Sequence, residues 1–313
     1  MKATSAVHVP GMTMGERLRV TGAKLWQARV SYAMLAPFLV AFTVFVVVPV
    51  LFSFVLSFTQ FNMVQRPTWV GFENYLRMFL DDRIFLIALQ NTLVYAAITG
   101  PVGYLLSFLF AWLINEMRHR LRIVLTLLFY APAIAGNAFM IWVLLFSPDA
   151  HGYINGTLIA LGMITRPVQW LIDPDYMMPI VIGVVLWMSL GTSFLVFIAG
   201  LKGIDEFLYE AAAIDGIDNR WQELWYITLP AMRGYLLFGA ILAITESMTN
   251  TSIISALTGD EPTDWATWTI VAHSNDHALV RFELGYSSAI IFLLFLAMVV
   301  AQKIVQRLLA KVG

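Results

Sequence analysis

Four stretches of this chain, residues 30–58, 91–114, 123–146 and 178–201, contain no Asp, Glu, Lys or Arg. Each reaches the roughly 20 apolar residues that cross the hydrocarbon of a bilayer. A fifth, 234–257, carries one charge, Glu246; a sixth, 284–301, is uncharged and runs on as a span to about 305. Hydrocarbon offers backbone amides no partner, so each segment must satisfy its own, and these segments are helices. The expected fold class is all-α, a polytopic membrane protein with six transmembrane helices.

Composition agrees. Charged residues make up 12% of the chain and hydrophobic ones 59%, where a soluble domain is near a quarter charged. A net charge of −1 gives no reason to expect nucleic acid as a partner. There are no cysteines, which excludes disulfides, thiolate metal sites and Cys nucleophiles. The first apolar run is far longer than the roughly 7–15 residues of a signal h-region and reads as a retained helix.

Lys and Arg orient the spans. With the N-terminus in the cytoplasm, fourteen of the nineteen fall inside and five (Arg66, Arg77, Arg83, Arg166, Arg281) outside. Both termini are then cytoplasmic, and the chain reads as a multi-pass membrane protein. Residues 1–29 read as a tail, 30–306 as the membrane domain, 202–232 as a cytoplasmic loop and 307–313 as the C-terminus. Outside, 72–83 reads as a short amphipathic interfacial helix, and Trp69, Trp170, Trp265 and Trp268 as interfacial anchors.

The 202–232 loop is the unexpected part, a charged stretch between two apolar spans. Asp205 suits a helix N-cap, and Phe207, Ala211 and Ile214 share one face. Gly216 is a natural stop, a second short helix fits around 221–226, and Pro230 suits a new helical start. Small residues at 211–213 leave room for something to pack closely. The plainer alternative is an interfacial helix that only tethers two spans.

The same stretch resembles the EAA signature of permeases of binding-protein-dependent carbohydrate ABC importers of the maltose/sn-glycerol-3-phosphate type. The matching positions are Glu210, Ala211, Ala212, Gly216, Ile227, Leu229 and Pro230. The spacer, residues 217–226, is one residue longer than usual in that family. "WVGFENYLRMF" with "NTLVYAA", and "ALTGDEPTDWATWTI", resemble the family's approach to its second span and its outer segment after the fifth. The resemblance implies the type I importer permease fold and a defined set of partners. These are a second permease subunit forming a heterodimer, two ATPase subunits and an external solute-binding protein. The seven motif residues would couple the permease to an ATPase. ATP and Mg would be bound by the ATPase subunits, with no cofactor in this chain. No lysine here follows a glycine, so no phosphate-binding P-loop exists and the chain reads as no enzyme.

Glu246 lies mid-span, where a charge costs about 2.5–3.5 kcal/mol on insertion scales. Thr249 and Asn250 stand three and four residues on, making a polar stripe that can line a solute path or hydrogen-bond between helices. Trp187, Thr192 and Ser193 offer an indole face and hydroxyls to a sugar, or ordinary helix packing. His273 and His277 have helical metal-ligand spacing but no evident third ligand, so they read as a solvated outer loop and no metal site is expected. Asn155 opens a formal glycosylation sequon. The competing class is a self-sufficient secondary transporter, which would be expected to show inverted repeats; no internal repeat is visible.

Overall fold

The computed structural model describes residues 28–309. The tail expected at 1–29 lies outside the described residues except for its last two positions, and the C-terminal stretch is described to Leu309. Two compact units divide at Val55 and Leu56.

The described residues of the first unit form one helix, α1 (Arg29–Leu56, its last residue falling in the second unit), whose ladder passes through a π-helical turn at Thr43–Val47. No side chain from Arg29 to Val47 is buried. Exposed Leu, Phe and Val are no liability in hydrocarbon, because lipid tails solvate them as well as protein does.

The second unit begins with a small antiparallel pair, β1 (Thr59–Gln60) against β2 (Thr68–Trp69), with Thr59 opposite Trp69. Helix α2 (Glu73–Leu80) follows and packs on the protein through Asn74 and Met78. The Asn74 amide donates to the carbonyls of Ser57 (2.9 Å) and Thr59 (3.0 Å), fixing the hairpin. Next is α3 (Arg83–Asn115), at 33 residues the longest helix and about 50 Å of rod. Where hydropathy suggests one helix through 123–146, the chain has two, α4 (His119–Ile134) and α5 (Met140–Leu145). Pro132 lacks an amide proton and Gly136 sits at φ +64°, so the ladder breaks across 135–139. After a short outer helix, α6 (Tyr153–Ala160), the next span is also in two pieces, α7 (Pro174–Met188) and α8 (Thr192–Lys202). The loop holds α9 (Glu206–Ile214), α10 (Arg220–Glu223) and α11 (Leu229–Ala231). Then α12 (Arg233–Thr249) breaks at Asn250 before α13 (Ser252–Thr258). An outer helix, α14 (Ile270–Asn275), leads to the last span, α15 (Leu284–Leu309).

Among the described residues, five stretches are long and apolar enough to cross a bilayer: Arg29–Leu56, Arg83–Asn115, Pro174–Lys202, Arg233–Thr258 and Leu284–Leu309. The α4–α5 pair supplies the sixth crossing. Non-helical backbone at membrane depth is tolerated only where protein or a wet cavity covers it. The breaks meet that condition. Phe139, beside the first break, packs with Tyr95, Val184, Ile254 and Leu257, and the Ser189 carbonyl at the second accepts the Ser107 hydroxyl at 2.9 Å.

Helix α3 is the post on which the unit is built. At one end Trp112 packs with Phe194 and Phe197 of α8 and Leu236 of α12. At the other, Phe85 packs with Met78, Trp268, Tyr286 and Ile290. Small residues let these helices approach closely. The tightest approach is at the start of α15, where a Cβ on Gly285 would lie 1.9 Å from the Thr59 carbonyl oxygen.

Two sequence expectations change here. Trp170 and Trp268 are internal ties rather than lipid anchors: the Trp170 indole donates to Asn155 Oδ1 (2.9 Å) and the Trp268 indole to His273 Nδ1 (3.2 Å). Asn155 is fully buried, and its amide also donates to the Ser147 and Val168 carbonyls, so its sequon cannot present an acceptor nitrogen.

Gly285→Ala should lower stability by about 3 kcal/mol, because backbone cannot yield as a side chain would. Gly183→Ala, with nothing within 4 Å of its new Cβ, should stay within about 1 kcal/mol of the parent. Thermal unfolding of the detergent-solubilised proteins measures both.

Candidate functional site

The 202–232 loop is locked at every joint. Asp205 caps α9, accepting the Phe207 N–H at 3.0 Å. At the far end Gly216 adopts φ +86°, a left-handed conformation that glycine takes without a Cβ clash. The Ile217 N–H donates to the Ala212 carbonyl (3.0 Å) and the Gly216 N–H to that of Ala213 (3.3 Å), the paired bonds of a Schellman stop. Asn219 caps α10 through the Trp221 N–H at 3.0 Å. Helix α10 then runs into a π-helical turn, Leu224–Thr228. Bonding from i to i+5 takes up one more residue per turn than α-helix bonding. The turn thus accommodates the extra spacer residue ahead of Leu229 and Pro230.

The seven motif residues divide by exposure. Glu210 and Gly216 are exposed, Ala211, Ile227, Leu229 and Pro230 half-buried, and Ala212 buried. The close-packing surface expected at 211–213 is therefore partly used by the chain itself. The open face of α9 is formed by Phe207, Glu210 and Ile214, the last 88% exposed. Behind it, Arg220 of α10 bridges Glu223 (2.9 Å) and Glu116 at the end of α3 (3.1 Å). The Trp221 ring lies 5.3 Å from that of Trp112.

In the spans, Glu246 is exposed at the margin of a cavity of about 30 Å³, also lined by Tyr95, Ser107, Ser189, Ser193 and Ser247. That is room for a water molecule. The Tyr95 hydroxyl is buried there without a hydrogen-bond partner among the described residues. Thr249 is exposed and returns its proton to the Thr245 carbonyl (2.8 Å); Asn250 sits at the helix break. Glu246, Thr249 and Asn250 thus stay on one helix end, and Ser193 lines the cavity beside Glu246. Trp187 does not join this group. It meets Trp142 edge to face at 5.5 Å and lines a separate apolar cavity of about 420 Å³ with Phe110, Phe129 and Pro132. Thr192, though exposed, does not line the Glu246 cavity. Trp187 and Ser189 are two residues apart on a helix and point to different sides. Sequence pattern gave no warning that Tyr95 and Ser107 would close the cavity.

At the opposite end of α3, Asp82, His273 and His277 bring three potential metal-ligand atoms within 4.8 Å of one another. Both histidines are buried, so the expectation of a solvated loop is incorrect. Asp82 was invisible to local pattern because it is 191 residues from His273. The geometry argues for a hydrogen-bonded core instead of a metal centre. An indole N–H can only donate, so the Trp268 bond leaves His273 Nδ1 with a lone pair. The ring proton is then on Nε2, where it donates to Asp82 Oδ2 at 2.9 Å. Tyr286 also donates to Oδ2 (2.7 Å) and the Phe85 N–H to Oδ1 (2.8 Å). Burial alone would raise the Asp82 carboxyl, but these donors hold it well below the usual carboxylate range. Glu283, half-buried, is likewise lowered against burial by Arg77 and His277, at 2.9 and 2.8 Å. Burial pushes His277 below its ordinary value despite Glu283.

Residues 101–312 match the family of inner membrane components of binding-protein-dependent transport systems. Among its relatives, a probable ABC transporter permease protein of Bacillus subtilis strain 168, YesP, is 31% identical over 82% of this chain and 83% of its own. The lactose transport system permease protein LacF of Rhizobium radiobacter is 29% identical, covering 66% and 68%. The trehalose/maltose transport system permease protein MalF of Thermococcus litoralis is 28% identical, covering 86% and 90%. A chain in the crystal structure of a bacterial ABC transporter importing the acidic polysaccharide alginate shares the fold. Its TM-score is 0.75 at 23% identity, covering 95% of this chain and 100% of that one.

The shifts at Asp82, Glu283 and His277 all make the folded protein bind protons less readily than the unfolded chain, so stability falls as pH falls. The His277 share should begin to disappear below about pH 6.5, and the carboxylate shares below about pH 4. A melting-temperature series from pH 7.5 to 5 should decline, and His277→Gln should flatten it.

Proposed function

The chain belongs to the inner membrane components of binding-protein-dependent transport systems, and from that premise we propose that it carries a carbohydrate. It is the membrane-spanning permease of an ATP-driven importer. The names of its relatives support a sugar or oligosaccharide as solute, lactose for one and trehalose or maltose for another.

In this reading an external binding protein delivers the solute, and a second permease subunit completes the pore as a heterodimer. Two ATPase subunits hold ATP and Mg; this chain has no P-loop to hold them. Both termini and the 202–232 loop face the cytoplasm, as the distribution of Lys and Arg supports. The open face of α9 docks into a cleft of one ATPase, and closure of the ATPases on ATP tilts the spans from inward-open to outward-open, a hinge-type transition. The observation that carries this is a loop capped at both helices and stopped by a Schellman turn, yet presenting Phe207, Glu210 and Ile214 uncovered. A lever must be stiff along its length and free at its contact.

The solute path follows Glu246, Thr249 and Asn250, with Ser193 lining the same cavity as Glu246. Their support is a charge at membrane depth beside a polar cavity and a helix break.

Gly216→Pro cannot adopt φ +86° and removes the N–H bonded to Ala213. In the reconstituted complex it should cut uptake at least ten-fold per assembled complex; undiminished uptake would reject the lever. Glu246→Ala should leave assembly intact and change solute affinity or translocation rate several-fold. Failure of assembly would instead assign Glu246 to interhelical bonding.

A further inference from the structure

The loop contains a hydrogen-bonded chain that none of the motif residues supplies. Tyr209 of α9 meets Thr228 in the π-helical turn, hydroxyl to hydroxyl, at 2.9 Å. The Thr228 hydroxyl also lies 3.3 Å from the Glu223 carbonyl oxygen. A carbonyl can only accept, so when the Thr228 proton points there, Tyr209 is the donor to Thr228. The order is Tyr209 to Thr228 to Glu223. Thr228 is buried at 2% exposure. This side-chain hydrogen bond joins α9 to the segment leading into α12.

The π turn makes this contact geometrically necessary. One extra residue in the spacer advances the helix by about 100° if the turn stays α-helical. With i to i+5 bonding across Leu224–Thr228 the residue is taken up locally, and Thr228 stays on the side facing Tyr209. The same segment is gripped from behind. Arg220 binds Glu116, and Trp221 packs on Trp112, both at the end of α3. Helix α9 is therefore attached to a segment that contacts the end of α3 and continues into α12.

We propose that the Tyr209–Thr228 pair is the latch through which α9 transmits its displacement to the spans, making both positioning residues for transport. The proposal rests on the reading of the loop as the coupling element and adds where the force leaves α9. Without the latch, the chain at 215–219 and the packing of the buried Ala212 are left to hold α9 to the segment ahead of α12. The ATPases would then move α9 without moving the spans to the same extent.

The test uses the full complex of permeases, ATPases and binding protein in proteoliposomes, reading solute taken up per ATP hydrolysed. Tyr209→Phe keeps the ring and removes the donor; Thr228→Val keeps the shape and removes the acceptor. Each should lower solute per ATP about five-fold, while Thr228→Ser, which keeps the hydroxyl, restores it. The double variant should be no worse than either single one, as for two ends of one bond. A stoichiometry within two-fold of the parent in both single variants overturns the latch. So does a loss confined to the amount of assembled complex, which would mark the pair as merely structural. Ile214→Glu on the open face of α9 separates the two readings. If it uncouples while Tyr209→Phe does not, the lever stands and the latch fails; if neither has an effect, the lever itself fails.

Discussion

Every feature of this protein answers to one constraint: in hydrocarbon a backbone amide has nothing to bond with except its own chain. That constraint makes the spans helical, and it also decides where helices are allowed to stop. Three crossings are interrupted, at 135–139, 189–191 and 250–251. Pro132, Gly136 and Gly191 explain why the ladders fail locally. The failures are tolerated because Ser107, Phe139 and Ile254 cover the loose ends. The cavity beside Glu246 is lined by Ser189, at the second of these breaks.

Outside hydrocarbon the chemistry changes. The 202–232 loop can afford charge, and uses it at its joints, with Asp205 and Asn219 as caps and Arg220 held between Glu116 and Glu223. At the other end of α3 the outer segments build a buried network on Asp82, with His273, His277, Tyr286, Glu283 and Arg77. The two ends of one long helix are thus anchored differently. One is tied to the loop by an exposed ion pair and two indoles packed at a tilt, and the other is fixed by buried hydrogen bonds. Exposed pairs are weak and replaceable, whereas a satisfied buried network is rigid. A helix firm at one end and adjustable at the other suits a part that must tilt.

The spans were legible because hydropathy is a local property that survives any tertiary arrangement. So were the Asp205 cap and the glycine stop, each set by residues within a few positions, whereas the Asn219 cap emerged only in the structure. The π turn at Leu224–Thr228 was half-legible. The spacer's extra residue could be counted, but not where the helix would absorb it. Misreadings arose wherever a partner was distant in sequence. His273 and His277 looked solvated because Asp82, 191 residues away, was not visible beside them. Trp187 offered an indole face to a sugar or to ordinary helix packing, and the fold turns it toward Trp142.

The sequence by itself determined that this chain lives in a membrane, how many times it crosses, and where a charged, capped loop interrupts its apolar spans. Those follow from run lengths, charge distribution and short-range capping, all set by neighbours along the chain. Only the tertiary structure decided which polar residues meet. It buried Ala212 and left Ile214 open, gathered Tyr95 and Ser107 around Glu246, and brought Tyr209 onto Thr228. Those pairings depend on how helices cross and rotate against one another, and that is fixed by the shapes of packed surfaces, which no local pattern encodes.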